Sequence, residues 1–124
     1  MRKYLTISLF VTALACTATA EPARKGTNGG DVVVMQGHPV EFVASGLHVL
    51  FYILDHDGKT PKPTNGFVGR AVVQDSGHVT LVTLAAAEPN MFVGELAMPL
   101  GSKARVVFSA NIQGHNLQAQ FTTD

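Results

Sequence analysis

The side chains best suited to holding a metal ion are concentrated in one short run, Asp55-His56-Asp57-Gly58. Two carboxylates flanking an imidazole offer a donor set that suits Zn²⁺, Ni²⁺ or Cu²⁺. The same run is equally ordinary turn chemistry, because Asp bonds its own backbone and Gly takes the positive φ of a tight turn. It is not a calcium loop of the EF-hand type. Placing Gly58 at the sixth position puts Ile53 first and Thr64 last, where acidic ligands are required. The remaining candidates are His38, His48, His78 and His115, with thioethers at Met35, Met91 and Met98. His38 and Glu41 are three residues apart, which on a strand points them to opposite faces. Both reach one ion only if His38 sits in a bulge or loop. A single histidine at a strand end is more often solvated than ligating, and methionine beside strands more often fills a core. No nucleophile elbow, phosphate loop, dinucleotide fingerprint or His-Glu-x-x-His helix occurs in the sequence, so no enzymatic activity is expected.

The amino terminus bears on which ligands remain. Arg2 and Lys3 precede an uncharged run from Tyr4 to Ala15, and Ala18-Thr19-Ala20 stands before Glu21-Pro22. This is the layout of a signal peptide over residues 1–20, and the run is too short for the roughly 20 apolar residues that span a bilayer. Cleavage after Ala20 removes Cys16, the one cysteine. Thiolate metal sites, disulfides and a cysteine nucleophile go with it. Ala13-Leu14-Ala15-Cys16 resembles a lipobox only loosely, since Leu stands two places before the cysteine rather than three. The expected mature chain has seven basic and nine acidic residues. It offers no basic patch for nucleic acid and no transmembrane segment, and its expected location is the periplasm.

Residues 21–30 read as a flexible leader, and residues 31–124 as a single domain. Eight runs rich in Val, Thr, Phe and Ile follow one another at 31–35, 38–44, 47–54, 67–74, 78–85, 91–98, 104–112 and 116–122. Val106, Phe108, Ala110 and Ile112 share one face of their run, as do Leu117, Ala119 and Phe121 of the next. The pattern predicts an all-β fold, an antiparallel β-sandwich (Ig-like or similar) of about seven to eight strands. Ala85-Ala86-Ala87-Glu88, stopped by Pro89, reads as a turn. A two-residue turn at Ser45-Gly46 makes Ala44 face Leu47. It then puts Glu41 and His48 diagonally opposite on the outer face.

Alternating hairpins assign each turn to one end of the domain. Two hairpins suffice to place His38 with Asp55, His56 and Asp57. If residues 59–66 stay at that end, Met91 and His115 join them; if the segment crosses, both move away.

Taken together, Asn28-Gly29-Gly30, His38-x-x-Glu41, Tyr52-x-x-Asp55-His56-x-Gly58-x-x-Pro61, Gly66 with Gly69, and Ala119-x-Phe121 resemble a group of small bacterial periplasmic proteins. That group is similar to the amino-terminal β domain of heavy-metal efflux adaptor proteins. Where the related domains carry a histidine before the paired glycines, this chain has Asn28. The resemblance implies transition-metal handling, an efflux-system protein as partner, and His38, Glu41, Asp55 and His56 as ligands. With His115 and Met91 added from turn parity, the expected site is labile and thiolate-free. Copper is its first metal, then zinc, nickel or cobalt. The alternative is a metal-free protein-binding module that acts through an exposed strand edge.

Overall fold

The computed structural model describes residues 24–124, so the expected signal peptide and residues 21–23 lie outside the described residues. Nine strands follow in order: β1 (Arg24–Lys25), β2 (Asp31–Met35), β3 (His38–Ser45), β4 (His48–Ile53), β5 (Gly69–Asp75), β6 (His78–Ala87), β7 (Met91–Glu95), β8 (Arg105–Ile112) and β9 (His115–Thr122). All neighbours are antiparallel, in the order β1-β2-β3-β4-β7-β6-β5-β8-β9. No described helix is long and apolar enough to cross a membrane.

The eight apolar runs correspond to β2–β9, and the all-β antiparallel class is as expected. The strand count differs by one, because Arg24–Lys25 pairs with Val32 and Asp31. The cause is tertiary. Lys25 Nζ donates to Asp31 at 2.7 Å, and the loop between β1 and β2 is clasped by Glu41 of the next strand. β6 pairs with β5 over His78–Leu84 and with β7 over Ala85–Ala87, so one continuous sheet curls into a half-barrel. The alanine run expected as a turn is therefore strand, and the chain reverses after it.

The inner face carries the core. Phe51 stacks on Phe108 with ring centroids 4.7 Å apart, Phe42 meets Phe121 at 5.2 Å and Phe92 meets Phe108 at 5.8 Å. β3, β4 and β7 thus pack against β8 and β9 through aromatic side chains, the largest apolar surfaces available. Cα atoms of β2 and β9 approach within 8 Å at the curled margin.

The first hairpin departs from the expected register. Ser45 pairs with His48, so the turn is Gly46-Leu47, with Gly46 at φ 57°. A two-residue shift preserves each side chain's face. Val40, Phe42, Val49 and Phe51 are buried as the alternation requires. It does, however, put Glu41 opposite Tyr52 and removes the diagonal Glu41–His48 contact.

Candidate metal centre

Three hairpin turns share one recipe: Gln36-Gly37, Ser76-Gly77 and Gln113-Gly114 have both residues at positive φ, and each is followed by a histidine. Such turns match the twist of the strands they join. The histidine after each turn pairs with the residue before it, so His38 faces Met35 and His115 faces Ile112. Ile112 is buried and Met35 packs on the core, which places both imidazoles on the inner face at one end of the half-barrel. His78 belongs to the turn at the opposite end.

Residues 59–66 stay at the His38 end. Leu54 bridges to Pro61, Lys62 N donates to Ile53 O at 2.9 Å, and Lys62 Nζ donates to Gln113 Oε1 at 2.8 Å. The buried Thr64 hydroxyl bonds Met91 O at 2.9 Å and holds the segment beneath the β6–β7 turn. Gln36 Nε2 donates to Asn116 O at 3.1 Å, joining the β2–β3 hairpin to the β8–β9 hairpin. This end is therefore a set of turns tied to one another by side chains.

Within it, His38, Asp55 and His56 come together, each offering a ligand atom within 4.8 Å of the others. His38 is 1% exposed, and its Nδ1 lies 3.1 Å from Leu54 O and 3.9 Å from Asp55 Oδ1. A carbonyl only accepts, so this bond puts the proton on Nδ1 and leaves Nε2 as the lone-pair nitrogen of the neutral ring. The His56 ring lies 4.0 Å from the His38 ring, centroid to centroid, tilted by 45°. It rests over Gly37, where a Cβ would come within 2.5 Å of His56 Nδ1. Asp55 anchors the loop through His56 N, which donates to its Oδ1 at 2.8 Å. His115 stands one layer out, its ring 5.9 Å from that of His38.

The other expected residues do other work. Asp57 accepts from Lys59 N at 2.9 Å, Thr60 N at 2.8 Å and the Thr60 hydroxyl. Those donors, the Thr60 side chain foremost, hold its carboxyl down to about 2 from an ordinary 3.8. Within the run Asp55-His56-Asp57-Gly58, the Asp57 carboxylate is taken up by the turn, while Asp55 and His56 lie beside His38. Glu41 is on the opposite face of β3, where both its oxygens accept from Asn28 and Gly30, with distances of 2.8–3.4 Å. Met91 reaches the right end but pairs with Tyr52, itself opposite Glu41, so it lies on the outer face. Met35 is the methionine that shares the His38 face. His48 is 4.0 Å from Glu95 at the far end of β4.

Sequence reasoning missed Leu54 O, Gly37 and Thr64, which act through backbone or bare space rather than recognisable side chains. The recurring x-Gly-His turn marks His38, His78 and His115 alike, and strand order rather than the motif separates His78 from the other two. No protein-family model matches the chain, and neither a curated protein nor a solved structure matches it.

Proposed function

We propose that the His38 end of the half-barrel binds a transition-metal ion, and that the protein is a non-enzymatic, exported metal-handling accessory. The observation supporting this is the meeting of His38, Asp55 and His56 within 4.8 Å. The Leu54 carbonyl fixes the His38 ring through Nδ1, the nitrogen 3.9 Å from Asp55, so ligation through Nε2 requires Asp55 to move toward Nε2. Metal-ligating histidines usually donate their second N–H to such an acceptor, which sets ring orientation and strengthens the free nitrogen as a ligand. Two imidazoles and one carboxylate give a site that exchanges its ion, open to solvent at His56. Copper heads the affinity order for these donors, ahead of zinc, nickel and cobalt. His115 supplies a further imidazole within one side-chain movement. In this reading the curled sheet serves as a sandwich-like scaffold, the location is the periplasm, and an efflux-system protein receives or delivers the ion. That assignment draws on the motif resemblance to efflux adaptor domains.

Native mass spectrometry of tag-free protein, titrated with Cu²⁺, Cu⁺, Zn²⁺, Ni²⁺ and Co²⁺, tests the proposal. One adduct per chain is expected, lost in His38→Gln and weakened about tenfold or more in His56→Ala, which alters only an exposed side chain. No adduct at micromolar metal contradicts it. The protein-binding alternative has its own support: His78–Leu84 of β6 is paired only with β5 among the described strands and exposes Val79 and Leu81. An unpaired, apolar strand edge of this kind accepts a partner strand.

A further inference from the structure

We infer that the outer face of β2–β4 carries a second binding site, separate from the metal centre, for a small organic anion with an apolar body. Ladder partners build its floor. Val34 pairs with Pro39, and Val32, Glu41 and Tyr52 form one row across three strands, so these side chains all leave the sheet on the face opposite His38. The β1–β2 loop closes one side and Gly58–Pro61 the other. The concavity between them is about 560 Å³, within the range of small-molecule sites.

Charge selects the ligand. Arg24, Lys25 and Lys59 line the cavity, against a single carboxylate, Glu41. Glu41 is buried, and its oxygens are taken up by the N–H groups of Asn28 and Gly30, so it serves the loop rather than a bound cation. Lys25 is paired with Asp31, whereas Arg24 and Lys59 take part in none of the ion pairs among the described residues. An apolar floor formed by Val34, Pro39 and Tyr52 beneath Arg24 and Lys59, the latter also near enough to Asp57 to act on its charge, suits an amphiphilic carboxylate or sulfonate. The body lies along the sheet and the head reaches the rim.

The proposal does not depend on the metal reading, because none of His38, Asp55 and His56 lines this cavity. Amide NMR of the protein, titrated with decanoate, is the test. Saturable shifts are expected at Thr27, Val34, Tyr52 and Lys59, with no such response to decyltrimethylammonium. Arg24→Gln with Lys59→Gln should weaken decanoate binding about tenfold, at the upper end for two exposed charge contacts. The variant should keep its metal adduct. Absent shifts, shifts confined to other surfaces, an equal response to the cationic amphiphile, or unchanged affinity in the double variant would each overturn the site.

Discussion

At the scale of single residues, the run Asp55-His56-Asp57-Gly58 shows how neighbours of similar chemistry take different roles. Asp57 spends its carboxylate on Lys59 N, Thr60 N and the Thr60 hydroxyl, which leaves Asp55 and His56 to face His38. Its folded value of about 2 lies below the ordinary 3.8. The sign follows from linkage: the stabilisation is present above about 3.8 and is lost as pH falls from there through about 2. Carboxyl-carbon NMR should give that low midpoint, and Thr60→Val should move it back toward the ordinary value. A wild-type midpoint near 3.8 would show that the turn bonds do not persist in solution. Gly37 is constrained twice, by a φ of 79° and by the His56 ring above it. Gly37→Ala should cost about 1–2 kcal/mol from the backbone alone, read by urea denaturation. Because the methyl also displaces His56, metal affinity should fall along with stability.

At the scale of elements, alternation made β2–β9 legible, since a half-buried strand leaves a period-two signature that Val106, Phe108, Ala110 and Ile112 display. β1 left none. Arg24 and Lys25 belong to the sheet because Asp31 and Glu41 hold the segment from outside it. Ala85–Ala87 departs from the expected turn for a related reason: a run of alanines has little strand preference of its own, and pairing with β7 overrides it. Turn parity groups His38 with Asp55 and His56, and it adds His115 only because residues 59–66 stay at that end. It could not assign a face to Met91, which register alone decides. Glu41→Ala separates the two faces experimentally. It should release the β1–β2 loop at a cost of about 2–3 kcal/mol, for the N–H groups it leaves unpaired. Amide exchange should quicken at Lys25 and Gly30 while metal binding stays intact. Loss of the metal adduct in this variant would return Glu41 to the ligand set.

At the scale of the whole molecule, the half-barrel is a rigid frame with different chemistry on its two surfaces. The phenylalanine stack joins β3, β4 and β7 to β8 and β9, and the end turns are cross-tied by Gln36–Asn116 and Lys62–Gln113. Three separate hairpins or loops therefore bring His38, His56 and His115 together at one end, and no single motif reports that meeting. The cost of ordering them is met in folding rather than on ligand binding, which is the condition for a preformed site.

The most direct test of the central claim is imidazole ¹⁵N NMR of the protein before and after Zn²⁺, a diamagnetic stand-in for copper. His38 should begin with its proton on Nδ1, bonded to Leu54 O. On adding metal, Nε2 of His38 and one nitrogen of His56 should move to ligand positions while His38 Nδ1 keeps its proton. Unchanged His38 and His56 resonances at saturating Zn²⁺, or zinc appearing only at His48 or His78, would contradict it.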